Sequence, residues 1–280
     1  GDTIQFCRYA AMFAARGGHG ILQVQEPALR LLQSLAAVRA GLVETALLGA
    51  APPEVDLEFD LECPLMSLPA VFGTTVETVP WPGAYLGADP GLVSAKRVEF
   101  PSLTTNGTRP LRVGFAWAGN PRYKADCQRS IKLTTLLPLL RTPGITWIAL
   151  QKGPAAEQLA SLSTDVSVLD GSSNDCDLAE TAALIATLDL VITTDTCIAH
   201  LAGAMGKPVW ILLPHLSDWR WMQQTGTTPW YPTARLFRQR SPGDWVGVMK
   251  RVIGRLSKLC MAERRPPISE VKQASMFISA

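Results

Sequence analysis

Leu190-Val191-Ile192-Thr193-Thr194-Asp195-Thr196-Cys197-Ile198-Ala199-His200-Leu201-Ala202-Gly203-Ala204-Met205-Gly206-Lys207-Pro208-Val209 reads as one strand–helix–strand unit. The apolar run to Thr193 has the character of a strand buried on both faces. Asp195 and Thr196 stand at the turn, and Thr196 is a good N-cap for a helix over 196–205. Gly206 ends that helix, and Pro208 leads into the next strand. Ala202, Gly203 and Ala204 allow close packing. The helix start presents free amides and the positive dipole end, which together suit an anion. Thr196, Cys197 and, one turn on, His200 share that end. An ordinary crossover with a capping Thr and a satisfied core His explains the same residues equally well.

Working outward, the alternation repeats. Strands are expected over 111–117, 145–150, 166–169, 190–193 and 209–213. Helices are expected over 134–140, 155–162, 178–187 and 196–205, with a closing helix over 244–259. Near-continuous apolar strands separated by helices predict a parallel sheet covered on both faces. Upstream, 21–24 and 42–47 read as strands around a helix opened by Pro27. Val55–Phe59 reads as a half-exposed strand or an edge, and Cys63–Phe72 as a short helix. Thr78–Pro110, broken by Pro80, Pro82, Pro90, Pro101 and Pro110, reads as a linker. The expected division is an N-terminal α/β domain over 1–107, a second over 108–260, and a flexible tail over 261–280.

The chain has 280 residues, 47% hydrophobic and 18% charged, with a net charge of +2. This excludes wholesale disorder, and no apolar run reaches the ~18 residues of a membrane span. Residues 1–107 carry 6 basic and 11 acidic residues, whereas 108–280 carry 20 and 13. The second half therefore suits an anionic ligand. The six cysteines form no close pair and there are three histidines, so a zinc site and a disulfide scaffold are both poorly supported. Small thiols in a reducing cytoplasm are the expectation.

Ligands of such sheets bind at the carboxyl ends of the strands. Gly119-Asn120-Pro121 makes a tight turn there, after Trp117. GxGxxG is absent, which weakens a dinucleotide-oxidoreductase reading. Arg122, Lys124, Arg129 and Lys132 follow, and an Arg fork suits phosphate; a solvated basic loop is the alternative. Gln151 and Lys152 stand at the end of the next strand. Asp218-Trp219-Arg220-Trp221 and Pro229-Trp230-Tyr231-Pro232 bring aromatics that could stack on a base or sugar. Packing is the alternative for them, favoured for Trp221 and Trp230. Trp117, Asp218, Trp219 and Tyr231 are the candidates for lining the cleft.

Asp195-Thr196-x-x-x-His200 followed by Gly206-Lys207-Pro208 resembles the signature of the ADP-heptose:lipopolysaccharide heptosyltransferases, glycosyltransferase family 9. Closer still is the glycosyltransferase domain at the C-terminus of bacterial tetratricopeptide-repeat proteins. Gly1–Phe6, Cys63–Pro69, Gly114–Pro121, Leu150–Gly153, Asp218–Trp221 and Pro229–Tyr231-Pro232 carry that likeness. It implies the GT-B fold, with two Rossmann-like domains facing across a cleft, and a metal-independent, inverting transfer from a nucleotide-diphosphate sugar to an acceptor hydroxyl. No cofactor is implied.

Asp2 matches the position of the family's proposed base, although an N-cap role is an alternative. The family's first strand is expected to be missing ahead of Gly1. The resemblance also implies donor contacts at Asn120, Arg129 (ahead of Lys132), Gln151, Lys152, Asp195, Thr196, Cys197 and His200. The acceptor would be a glycan, lipid or protein and not a nucleic acid. Tetratricopeptide repeats would precede the domain, in the cytoplasm or peripheral to the inner membrane. The competing readings are a degenerate nucleotide-sugar-binding or interaction module, and an epimerase of the same architecture.

Overall fold

The computed structural model describes residues 1–48, 60–101, 109–171 and 177–263. The first elements are helices α1 (Asp2–Phe6) and α2 (Tyr9–Ala15), strand β1 (Gly20–Val24), helices α3 (Glu26–Leu32) and α4 (Ala36–Arg39), and strand β2 (Val43–Leu47). Pro27 stands in the first turn of α3, where its missing amide costs nothing. β1 and β2 pair in parallel, from Gly20 against Val43 to Val24 against Leu47. The strand expected over 55–59 lies outside the described residues. The single short helix expected over 63–72 is a 3-10 turn at Leu65–Ser67 followed by α5 (Leu68–Val71).

Among its described residues, the expected linker holds a helix. Within it, α6 spans Pro90–Glu99, with Pro90 opening the helix and Asp89 accepting from the Leu92 amide at 2.9 Å. Proline at a helix start and Asp before it are start signals, and reading them as breakers hid the helix. Just upstream, the Tyr85 amide donates to the Ala204 carbonyl at 2.9 Å. The domain boundary expected at 107 falls within 102–108, outside the described residues.

The second stretch holds β3 (Leu111–Ala116), α7 (Asp126–Arg129), α8 (Leu133–Leu140), β4 (Ile145–Ala149), β5 (Val168–Asp170), α9 (Leu178–Ala186), β6 (Leu190–Thr194), α10 (Cys197–Ala204), β7 (Val209–Leu213), β8 (Ala234–Arg238) and α11 (Trp245–Glu263). The helix expected over 155–162 is 3-10, over Pro154–Ser161. The strands form one parallel sheet in the order β5-β4-β3-β6-β7-β8. The chain builds outward from β3 to β5, then crosses back to β6 and builds the other way. Between β3 and β6 the crossovers leave on opposite faces, so a crevice opens at their carboxyl ends.

Both faces of this sheet are covered, which is why its central strands read as near-continuous apolar runs. One face packs Phe115, Trp117 and Trp147 against Leu136 and Leu139 of α8 and Val248, Val252 and Leu256 of α11. The other packs Ile148, Val191 and Ile211 under α9 and α10. That second core continues into Ile4, Phe6, Leu31 and Leu32, which are almost fully buried. Each such side chain contributes roughly 1.5–3 kcal/mol by leaving water. The first stretch is therefore seated on the α9–α10 layer, with α1 against α10 and both α3 and α6 against α9.

Arg8 ties this seam. It is 1% exposed and donates to the carbonyls of Gln5 (2.9 Å), Pro80 (3.0 Å) and Trp230 (3.0 Å) and to the Tyr85 hydroxyl (2.9 Å). Its guanidinium lies among the rings of Tyr85, Tyr231, Trp230 and Trp81, at 4.7–6.0 Å from their centroids.

Candidate functional site

A cleft of about 790 Å³ opens at the β3–β6 switch point. Most of its wall is made by loops that follow strands. Ala118, Gly119, Asn120 and Pro121 follow β3, and Gln151, Lys152 and Gly153 follow β4. Asp195, Thr196 and Cys197 follow β6, with His200 behind them. Pro214, Leu216, Asp218 and Arg220 follow β7, while Gly1, Asp2 and Met66 close the far side.

The β3 loop is held from α7. Asp126 accepts from Arg129 Nε at 3.0 Å and from Ser130 Oγ at 2.7 Å, and Ser130 Oγ accepts from the Gly119 amide at 2.9 Å. A Cβ on Gly119 would push the Asp126 carboxylate and the Arg129 guanidinium out of this arrangement. Arg129 also lies 4.6 Å from the Tyr123 ring centroid. Its guanidinium is thus aimed at the cleft by an acid and an aromatic.

Gln151 is 3% exposed. Its Oε1 accepts from the Trp117 and Ala118 amides at 2.9 and 2.8 Å, and its Nε2 donates to the carbonyls of Ala118 (3.0 Å) and Lys152 (2.9 Å). It binds the two loops to each other. Lys152 Nζ donates to the Asp177 carbonyl at 3.4 Å.

At the β6 turn, Thr196 stands at the N-cap of α10 without a side-chain cap bond; its hydroxyl pairs with that of Thr193 at 3.2 Å. The expected cap is made by backbone position alone, because Thr193 captures the hydroxyl and leaves the first amides of α10 open. Burial raises the Asp195 carboxyl above its ordinary value, against the pull of the Trp221 indole and the Arg129 and Arg220 charges. Burial holds the His200 imidazole well below its ordinary value, so it is neutral at pH 7. Its Nδ1 meets the Tyr231 hydroxyl at 2.9 Å, and its ring stacks on Trp221 at 5.3 Å.

Sequence reasoning overlooked Arg220. It is 8% exposed and lies between the two stretches of chain. It donates to Asp2 (2.6 Å), Asp218 (3.0 Å) and Gln5 Oε1 (2.6 Å). Its neighbours Trp219 and Trp221 masked it as part of an aromatic cluster. The alternating aromatic-basic pattern of Asp218-Trp219-Arg220-Trp221 was the available signal.

Asp2, Asn120, Arg129, Gln151, Lys152, Asp195, Thr196, Cys197, His200 and Asp218 all reach the cleft. Four expected residues do not. Lys132 is exposed at the N-cap of α8, on a separate shallow depression with Leu137 and Gln158, because the chain has already turned away after Ser130. Trp117 points into the α8–α11 core and stacks on Phe115. Trp219 packs edge-on against Trp230 outside the lining. Tyr231 is buried behind His200. Asp2 is the first residue of α1, after an N-cap at Gly1, so the alternative N-cap role does not hold, and its carboxylate turns to Arg220. Among the described residues, no group of three His, Cys, Asp or Glu is placed to hold a metal.

Residues 156–221 match the model of glycosyltransferase family 9 (heptosyltransferase). The family 9 stretch contains Asp195, Thr196, His200, Gly206 and Pro208, the residues that carry the sequence resemblance. Arg129 and Asp2 lie outside it. The chain is 32% identical over 187 residues to Protein FlbA of Caulobacter vibrioides, covering 64% of this chain and 30% of that protein's length. Among solved structures, E. coli ADP-heptose lps heptosyltransferase II aligns with a TM-score of 0.49 and 21% identity, over 69% of this chain and 58% of its own. A family 9 glycosyl transferase from Veillonella parvula aligns with a TM-score of 0.49 and 14% identity, over 92% and 78%. No helix among the described residues is long and apolar enough to cross a membrane.

Proposed function

We propose that this chain is a glycosyltransferase domain that takes a sugar from a nucleotide-diphosphate donor and transfers it to an acceptor hydroxyl, with inversion. One observation carries the reading: the open N-terminus of α10, Arg129 and His200 converge at the switch-point cleft, and a carboxylate, Asp2, faces them from the other side. The family 9 match over the α10 stretch supports it.

In this mechanism the donor diphosphate lies over the amides of α10, where the helix dipole favours negative charge. Arg129 supplies a fork for two phosphate oxygens. Neutral His200 donates one hydrogen bond and adds no charge. Asp2 takes the proton of the acceptor hydroxyl, and the oxygen attacks the anomeric carbon from the opposite face. The bond from that carbon to the diphosphate oxygen breaks, and its electron pair leaves with the nucleoside diphosphate. The helix dipole and the arginines stabilise the charge that develops there, so the proposal requires no metal or cofactor. The basic balance of 108–280 favours this donor side. The proposal adopts the cytoplasm as the compartment. Tetratricopeptide repeats alongside the domain, and a glycan, lipid or protein acceptor, are further parts of it.

A second reading has an observation of its own. Asp2 is ion-paired with Arg220, and a carboxylate so held suits a binding module better than a free base. Calorimetric titration with ADP-, UDP-, GDP- and dTDP-sugars separates the readings. Binding of one of them, with transfer abolished by Asp2→Asn while binding persists, is the expected result. Binding without transfer selects the module, and no binding by any donor overturns both.

A further inference from the structure

We propose that Tyr231 is a positioning residue of this cleft: its hydroxyl holds His200 through Nδ1, so that the imidazole presents Nε2–H to the cleft. The inference deepens the proposed donor site and rests on that reading for its functional consequence only.

Four observations fix the ring. The Tyr231 hydroxyl lies 2.9 Å from Nδ1. Trp221 stacks on the imidazole face at 5.3 Å and 28° between planes, which removes rotation out of that plane. The opposite edge faces the cleft: a Cβ on Gly1 would stand 2.9 Å from Cδ2 and 3.5 Å from Nε2. Tyr231 reaches this position because Gly203, three residues after His200 on the same helix, has no side chain. A Cβ there would come within 2.5 Å of the Tyr231 ring.

The direction of the hydrogen bond follows from the surroundings. Tyr85, the neighbouring phenol, donates to the Ile4 carbonyl at 3.0 Å and accepts from Arg8 at 2.9 Å. Tyr85 and Arg8 also reach the Tyr231 hydroxyl; Arg8 has no acceptor to offer, and the Tyr85 oxygen already accepts from Arg8. Its guanidinium lies 5.0 Å from the Tyr231 ring centroid, and a cation on the ring face makes the phenol a better donor. Tyr231 is fully buried and keeps its proton. Nδ1 of a neutral His200 is then the acceptor, and the ring proton sits on Nε2. A neutral donor aimed by a buried phenol can bond a diphosphate oxygen without an ordering cost at the moment of binding.

The test is a long-range proton–nitrogen NMR correlation of the His200 ring in the whole protein, with no nucleotide present. A single Nε2–H tautomer is expected, and Tyr231→Phe, which keeps the ring and removes the hydroxyl, should yield a mixture of both tautomers. An Nδ1–H tautomer in the wild type, or an unchanged pattern in Tyr231→Phe, overturns the proposal. Inorganic pyrophosphate titration adds the functional arm. Tyr231→Phe should weaken binding by up to about tenfold, and the double variant with His200→Gln should bind no more weakly than His200→Gln alone. Additive losses in the double variant would count against positioning. If the wild type does not bind pyrophosphate, the donor-site reading fails, and the tautomer measurement still decides the role of Tyr231.

Discussion

The Arg220 guanidinium donates to the Asp2 carboxylate at 2.6 Å, joining α1 to the loop after β7 across the cleft. The same guanidinium holds Asp218 and Gln5. Arg220 is buried while Asp2 is largely exposed, so losing the arginine mainly strands Gln5 and Asp218. Arg220→Gln should cost about 2 kcal/mol, since hydrogen bonds to charged groups are each worth roughly 1.5–3 kcal/mol and part is regained from water. The urea midpoint reads this. In the proposed reaction kcat should fall as well, because Asp2 loses its fixed position. An unchanged midpoint would mean that the ion pair holds nothing.

Arg8 should matter more for folding. Arg8→Met keeps most of the volume but leaves the carbonyls of Gln5, Pro80 and Trp230 without its donors. A buried polar group left unpaired costs about 1–3 kcal/mol. A loss of at least ~3 kcal/mol is expected in equilibrium unfolding, with the first stretch loosening from α9 and α10. Hydrogen exchange of the Tyr85 amide, which donates to Ala204, should accelerate in step. A midpoint within 1 kcal/mol of wild type would contradict the role.

The central strands of the larger sheet were legible because both its faces are buried, so they are near-continuous apolar runs such as Val209–Leu213. β8 was not, because Ala234–Arg238 is an edge strand whose apolar run is interrupted by Arg235 and Arg238. α2 carries no start signal, having Arg8 at its N-cap. In the cleft, residues on loops next to strand ends were found from their position together with the family resemblance. The partners of Arg220 and Tyr231 required knowledge of the third dimension. Arg220 pairs with a residue 218 positions away, and Tyr231 supports a histidine 31 positions away.

Asp195 is the carboxylate nearest the open end of α10. Burial raises its pKa above the ordinary 3.8. A raised carboxyl favours folding below its unfolded value and loses that contribution as pH rises through the folded one. At pH 7 the ionised group therefore weighs against the fold. Asp195→Asn should be neutral to stabilising at pH 7, and its advantage should shrink as pH falls toward 4. A large loss at pH 7 would show that the charge itself is required for the local structure. Thermal melts of both proteins across this range decide the matter.

His200 should impose the opposite pH dependence. Its folded-state value is depressed well below 6.5 by burial first, and by nearby positive charges including Arg220, Arg8 and Arg129. Tyr231, Trp221 and Gly1 are the groups packed against the ring, and none of these side chains is an anion that could compensate a proton. The unfolded chain protonates this residue near 6.5 while the folded chain does not. Stability from His200 is thus present above that value and is lost as pH falls below it. The slope is about 1.4 kcal/mol per pH unit until the folded-state value is reached. His200→Gln removes the titrating group, so the variant should lose less stability than wild type between pH 6.5 and 5. Urea midpoints at half-unit intervals measure the difference. Parallel curves for the two proteins would show that His200 takes up its proton equally in both states, and with it that the imidazole is not sealed behind Tyr231 and Trp221.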